Sequence, residues 1–439
     1  MQWSKYNMMF ESKNNGWLLY NTGSNTFVQM DDETAAFVKE VKEYPNRDFA
    51  DYPDIMLKLR LGGFLVEDGK DEELYNILKM EYLNIHFASH HMVLTIAPTR
   101  KCNFDCPYCY ERNRKASCIN DVVEDKIVSF INKHKMISKI FVSWYGGEPL
   151  MEIERIKSFT KKIKALGKKF SAALTTNGYL LTSEVIDTLD ELEIVEIEIT
   201  IDGIKETHDR RRYLVGGEPT YEIIMCNIDG LLLSGWKGRL EIRVNIDVSN
   251  KDDFVEVYRL FEYKYPSIFG KQVVVLPAFV YDRRSQDNNG YFNSREKGEF
   301  LANLASMHSI NALPIFPRTR KTVRGCCINS KNAYLIGPNG ELYKCWDDLG
   351  EESEIIGYVD NLTNWNASLI AQGAVEASYM ENEICKNCFC FPICDGGCPK
   401  SRIFNKRDGA NRDYCSYFKS HAKEFLEIHF EQKKKAVMT

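Results

Sequence analysis

The 439-residue chain has no run of 18 or more apolar residues and no recognisable secretory signal, so neither a membrane-spanning helix nor an oxidising compartment is expected. It also lacks a surplus of positive charge. With 57 Lys and Arg against 62 Asp and Glu the net charge is −5, and no basic field recommends nucleic acid as a partner. Small molecules or peptides are the better expectation, in a cytoplasmic setting away from membranes. Cysteine, by contrast, is abundant. Fourteen of them are too many for an ordinary cytosolic core, and metal clusters explain them better than disulfides. The length and a 44% hydrophobic content predict two or three domains with at least one large core.

The stretch Lys101–Tyr110, KCNFDCPYCY, spaces Cys102, Cys106 and Cys109 as C-x3-C-x2-C. Three thiolates on one short loop can hold three corners of an iron–sulfur cube. Such a cube normally takes four, which leaves one iron open to an outside ligand. The alternatives are half a zinc site or three scattered core cysteines, but zinc sites use paired cysteines across a longer gap. The compact triplet, with Tyr108 just before its last cysteine, resembles the signature of the radical S-adenosylmethionine (SAM) enzymes.

Apolar runs at Val93–Ile96, Ile140–Trp144, Ser171–Leu174, Val195–Ile201, Leu240–Ile246 and Val273–Pro277 alternate with helical stretches such as Val122–His134. That alternation predicts a parallel sheet of βαβ units. In α/β barrels active residues lie at the C-terminal strand ends. The cysteine loop follows the first run, Gly146-Gly147-Glu148-Pro149 the second, Thr175-Thr176-Asn177-Gly178 the third and Thr200-Ile201-Asp202-Gly203 the fourth. Each alone is only turn chemistry. Together they match, in order, the radical SAM family, which is similar in fold to a partial (β/α)6 TIM-like barrel.

The resemblance implies that Gly146, Gly147, Glu148 and Pro149 meet the methionyl amino group, with glycine allowing close backbone approach. Tyr108, Asn177 and Thr200 fall at further cofactor-binding positions. Asp209 is expected to accept from ribose hydroxyls, and Arg212 to pair with the methionyl carboxylate, with Arg243 as the competing clamp. The alternative for these later residues is ordinary surface ion pairing. The resemblance further implies that methionyl amine and carboxylate chelate the open iron, and that one electron cleaves the C–S bond to give a 5′-deoxyadenosyl radical.

Residues 1–90 read as a small α+β module. A hairpin is predicted in Gly16–Met30 around Asn21-Thr22-Gly23-Ser24, then a helix capped by Asp31 or Asp32 with Phe37, Val38 and Val41 on its apolar face. A second helix over Leu57–Leu61 stops at Gly62-Gly63, and charged Gly69–Glu81 is expected to be helical. The module resembles the winged-helix-like leader-binding modules of ribosomal-peptide maturases; a structural lid is the alternative. Residues 91–280 are the expected radical core and 281–325 a connecting segment, opening with a polar loop over Tyr281–Gly298. Residues 326–439 hold Cys326, Cys327, a G-x4-C unit ending at Cys345, the series Cys385, Cys388, Cys394 and Cys398, and Cys415, then a solvated basic run at Lys433–Lys435.

This cysteine set resembles the SPASM extension of radical SAM enzymes, a scaffold for two auxiliary clusters; a zinc knuckle on Cys385 and Cys388 is the alternative. Carried over by position, Cys345, Cys398 and Cys326 or Cys327 would serve the first cluster, and Cys385, Cys388, Cys394 and Cys415 the second. Adjacent Cys326 and Cys327 depart from the spaced pair of some family members. Cys118, Cys226 and Cys390 lie outside the pattern. Cys226 is expected in the core, while Cys118 or Cys390 could donate a hydrogen atom. Asp347 is a candidate proton acceptor or an exposed loop acid.

The expected fold class is therefore α/β, a partial barrel with a winged-helix-like N-terminal module and a cysteine-rich SPASM domain. The expected activity is maturation of a ribosomally made precursor peptide by thioether or carbon–carbon cross-linking. It would use SAM, one SAM-binding and two auxiliary [4Fe–4S] clusters, and an external electron donor such as flavodoxin or ferredoxin. The alternatives are a sulfatase-maturating, formylglycine-forming enzyme and a non-catalytic electron-transfer protein.

Overall fold

The computed structural model describes residues 1–109, 111, 115–281, 290–310, 326–361 and 363–438, without the side chains of 436–438. Tyr110, residues 282–289 of the expected loop and residues 311–325 of the expected connecting segment lie outside the described residues. The chain forms two compact units that interleave along the sequence. One contains Ala88–Asn293 and Ser330–Ala374; the other contains Met1–Phe87, Ser294–Asn329 and Val375–Thr439. Four consecutive segments were expected, and the difference arises from packing between residues far apart in sequence.

In the N-terminal part, β1 (Asn7–Ser12), β2 (Gly16–Asn21) and β3 (Thr26–Met30) form an antiparallel sheet. The β2–β3 hairpin is the one expected, and β1 is the strand that turn chemistry did not announce. Helix α1 (Asp32–Glu43) starts at Asp31, whose side chain accepts from the backbone N–H of Thr34 at 2.8 Å. Such a cap satisfies one of the donors a helix N-terminus leaves open. Helix α2 spans Pro53–Leu61 and α3 Lys70–His86. Val38, Val41, Met56, Leu59 and Phe64 close with Leu19 into one core.

A second core in this unit joins Tyr6, Tyr75, Leu78 and Tyr82 to Tyr379, Met380 and Phe391. Tyr75 donates its hydroxyl to the Met380 carbonyl at 2.8 Å. The helix Ala422–Met438 lies on the hairpin: Asn15 donates to Glu431 at 2.6 Å, and the Phe27 and Phe430 rings meet edge to face at 5.3 Å. These contacts make the first 87 residues part of one body with the C-terminal segment rather than a separate module. Lys433–Lys435 are exposed as expected, though on this helix rather than in a tail. Ser294–His308 is also helical, so the loop expected to reach Gly298 ends earlier.

The other unit is built on β4 (His91–Thr99), β5 (Lys139–Gly146), β6 (Lys169–Thr176), β7 (Ile194–Thr200), β8 (Arg239–Ile246) and β9 (Val273–Phe279). Five of the six expected runs lie inside these strands, and the fourth, Val195–Ile201, runs one residue past the end of β7 at Thr200. They pair in parallel in the order β9-β8-β7-β6-β5-β4. Strand β10 (Ala333–Ile336) then adds in parallel to β4, and β11 (Glu341–Tyr343) and β12 (Gly357–Tyr358) follow antiparallel. The G-x4-C hairpin thus extends the core sheet instead of starting a separate domain. Alternation puts Ile140, Val142, Trp144, Leu174, Ile197, Ile199, Leu240, Ile242 and Val244 on a buried face. Ser143, Thr175, Glu196, Glu198, Glu241 and Arg243, on the opposite face, stay half-buried.

Helices α4 (Asp121–Lys133) and α5 (Ile153–Lys164) are tied through a carboxylate with no exposure. Glu124 accepts from Arg155 at 2.6 Å and from Ser158 at 2.7 Å, and pairs with Lys162 at 2.9 Å. Burial opposes the Glu124 charge, but these three partners outweigh it and hold its pKa below the usual carboxylate value. A depressed folded pKa contributes stability above the carboxylate range, lost as pH falls through the folded value. Breaking a buried pair by removing one partner costs about 3 kcal/mol. Arg155→Ala is therefore expected to lower the urea midpoint at pH 7, and the double variant Arg155→Ala/Glu124→Gln to recover part of the loss. Equal midpoints for wild type and Arg155→Ala would contradict this role.

Candidate active site

The loop after β4 carries Cys102, Cys106 and Cys109 and is pinned from several sides. Asp105 N–H donates to the Tyr213 carbonyl and Val215 N–H to the Asn103 carbonyl, both at 3.0 Å. Phe104 N–H donates to Cys102 Sγ at 3.4 Å. Across the strand ends, Asn177 Nδ2 donates to Asn103 Oδ1 at 2.8 Å and reaches Cys102 Sγ at 3.9 Å. Burial pushes the Cys102 thiol up to about 12 and raises those of Cys106 and Cys109. Without a metal these thiols stay protonated; a cluster binds the thiolates.

At the end of β5, two glycines let this loop approach the backbone closely. Gly146 has φ +110°, and a Cβ there would meet the Thr99 carbonyl at 2.5 Å. A Cβ on Gly147 would meet the Lys101 carbonyl at 2.1 Å. In that space Gly147 N–H donates to Thr99 O at 3.1 Å and Glu148 N–H to Lys101 O at 2.8 Å.

Glu148 has no exposure. Its Oε1 accepts from the Leu150 N–H at 3.0 Å and the Thr176 hydroxyl at 2.7 Å, and its Oε2 from the Asn177 N–H at 2.8 Å. Burial raises its pKa against these hydrogen bonds, which lower it. The side chain expected on the methionyl amine is thus engaged in joining β5 to β6. Pro149 opens the short 3-10 turn Pro149–Glu152 that follows.

Helix α6 (Lys205–Arg211) follows β7, and Arg212 ends it with a buried guanidinium. Arg212 Nη1 donates to the Tyr108 hydroxyl at 2.9 Å, and Asn245 Nδ2 donates to the same oxygen at 3.3 Å. Burial opposes the arginine charge, but Tyr108, Cys106 and Asp202 around it raise its pKa. Arg211 bridges Asp202 at 3.0 Å and Asp247 at 2.8 Å. Asp209 Oδ1 accepts from the Thr220 and Tyr221 N–H groups at 2.9 Å each, at the start of α7 (Tyr221–Leu233). Thr200 is buried at the end of β7, in register with Arg243. Arg243 donates to Asn245 at 3.0 Å and pairs with Glu198 at 3.6 Å.

Three features of this structure fit a cluster and its sulfonium cofactor. Three thiols share one pinned loop. The glycine pair gives a backbone cradle that a Cβ would fill. Asn103 Nδ2, Asp202 Oδ1 and Arg212 Nε are buried polar atoms with no hydrogen-bond partner among the described residues. No three His, Cys, Asp or Glu among those residues are placed to share a single metal ion; a cube spreads its thiolates over separate irons.

Residues 96–261 match the family model of the radical SAM superfamily. The chain is a radical SAM enzyme. Its cofactors are accordingly SAM and a [4Fe–4S] cluster. Over 73% of its length it is 22% identical to the cysteine-type anaerobic sulfatase-maturating enzyme of Clostridium novyi, covering 91% of that protein. Its fold matches anSMEcpe, solved with AdoMet and a Cp18Cys peptide, with a TM-score of 0.60 at 21% identity over 79% of this chain and 98% of that one. It matches Streptococcus suis SuiB, solved with the precursor peptide SuiA, with a TM-score of 0.51 at 15% identity over 95% and 99%. The radical SAM enzyme is thus related to the SPASM-type maturases.

The remaining expected site residues fall in both units. Cys345 lies in the sheet unit at the start of a 3-10 turn, where Asp347 Oδ2 accepts a short hydrogen bond from Tyr281. Cys326 and Cys327, with Sγ atoms 3.9 Å apart, and exposed Cys398 lie in the other unit. Cys385, Cys388, Cys394 and Cys415 line one cavity of about 460 Å³ in that unit.

Buried Cys390 lines the same cavity. Cys226, expected in the core, is exposed because Ile224, Met225, Ile228 and Leu231 take the buried face of α7. Cys118 Sγ lies 3.1 Å from the Thr99 hydroxyl, at a bridge beside β4. Asn103, Asp202 and Asn245 were missed. Asp202 had a signal, its place in the motif after the fourth run; Asn245 had none.

Gly147→Ala is expected to displace the Thr99–Lys101 backbone and to cost the chain the iron of this one cluster on anaerobic reconstitution. Wild-type iron content in that variant would contradict the cradle.

Proposed function

We propose that this radical SAM enzyme is a peptide maturase that cross-links a ribosomally made precursor through a thioether or carbon–carbon bond. The observation that carries the peptide reading is the extent of the likeness to SuiB: 95% of the chain must include most of Met1–Phe87, whereas anSMEcpe accounts for 79%. The half-buried sheet face supports it, since Ser143, Thr175, Glu196, Glu198 and Arg243 offer donors and acceptors to a polar chain.

When bound, the cluster and SAM supply a 5′-deoxyadenosyl radical able to take hydrogen from an unreactive carbon. The chain's own residues do the rest. Glu148 and the glycine pair hold the loop in place, Arg212 and Asn245 fix Tyr108 beside it, and Asp347 accepts a substrate proton under the Tyr281 hydroxyl. Cys385, Cys388, Cys394 and Cys415 hold an auxiliary cluster in their cavity. A one-electron carrier such as flavodoxin or ferredoxin supplies the electron, in the cytoplasm.

The second reading is sulfatase maturation, favoured by the match to 91% of the Clostridium novyi enzyme. Mass spectrometry of candidate peptides after anaerobic turnover separates the two. The proposal expects an intramolecular link with loss of two hydrogens, abolished in Asp347→Asn. Conversion of a sulfatase-derived Cys or Ser to formylglycine would overturn it.

A further inference from the structure

A fixed cation stands at the wall of the Cys385–Cys388–Cys394–Cys415 cavity. Arg402, in the helix Pro399–Asp408, donates from Nη2 to Cys385 Sγ at 3.2 Å. The same nitrogen donates to the Gly396 carbonyl at 2.7 Å, and Nε does so at 3.1 Å. The guanidinium face lies 4.1 Å from the centre of the Tyr414 ring. Two donors on one carbonyl and a stacked face leave the planar group a single orientation. Gly396 belongs to the short stretch between Cys394 and Cys398, so Arg402 bridges that stretch and Cys385.

We propose that Arg402 sets the reduction potential of the cluster held by Cys385, Cys388, Cys394 and Cys415, an inference that rests on the auxiliary-cluster reading above. Reduction adds one electron from a one-electron donor and one negative charge, and neither forms nor breaks a bond. Hydrogen bonds to ligand sulfur and nearby net charge are among the terms that fix such potentials. A guanidinium stays charged at every working pH, and its bond to Cys385 strengthens as the cluster becomes more negative. Arg402 therefore favours the reduced state. It is a positioning residue for the electron, acting through Cys385 and touching no substrate.

The test is an anaerobic redox titration of the full chain followed by electron paramagnetic resonance. It is made in the Cys102→Ala/Cys106→Ala/Cys109→Ala background, which removes the SAM-site signal. Arg402→Gln is expected to shift the midpoint of this cluster to more negative potential at unchanged iron content, and Arg402→Lys to fall between it and the parent. An unshifted midpoint in Arg402→Gln with the cluster retained overturns the proposal. If Arg402→Gln loses the cluster, Arg402→Lys decides: a negative shift supports the proposal, and an unshifted midpoint or loss of its cluster too overturns it. The signal is assigned by its disappearance in Cys385→Ala. No loss of iron or signal there would show instead that the cluster reading itself fails.

Discussion

The open end of the sheet depends on one carboxylate. Glu148 has no exposure, and its two oxygens accept three hydrogen bonds, from the 3-10 turn after β5 and from Thr176 and Asn177 at the end of β6. A buried charge is tolerated only with such partners. The Glu148 N–H holds the Lys101 carbonyl, so the same residue sets the height of the cysteine loop. Asn177 then reaches back to Asn103 and Cys102. Strand ends and loop are therefore joined by one set of hydrogen bonds that reaches Cys102.

Charge around that set is arranged to survive burial. Arg212 is surrounded by Tyr108, Cys106 and Asp202, and Arg211 by Asp202 and Asp247. Cluster thiolates add negative charge, and a guanidinium already buried beside Cys106 suits that state better than the thiols alone. In the other unit Arg402 plays the corresponding part at Cys385.

Much of the fold was legible in sequence because it is written locally. The six core runs are apolar and alternate with helical stretches, and five lie within an observed strand while the fourth overruns its strand by Ile201. Asp31 as a cap and the Asn21–Ser24 turn follow from side-chain chemistry near in sequence. Pairing over long separations leaves no such trace. Nothing in Ala333–Ile336 says that it extends the sheet beside β4, nor that Tyr6 and Tyr82 share a core with Tyr379.

The site divides in the same way. The cysteine loop and glycine pair were readable from spacing, since only glycine permits the contact at Lys101. The partners of Asp209 and Glu148 were not, because a motif gives residue type and place but not which oxygen is already engaged. Cys226 shows the converse error: an apolar run is not uniformly buried, and helical phase decides which residues face out.

The central claim is that the pinned loop of Cys102, Cys106 and Cys109 supports cleavage of SAM. The most direct measurement is anaerobic formation of 5′-deoxyadenosine from SAM with a strong reductant, comparing the cluster-loaded wild type with Cys102→Ala/Cys106→Ala/Cys109→Ala. Product from the wild type and none from the triple variant is the predicted result. No product from a wild type shown to hold its cluster, or equal product from both, would contradict it.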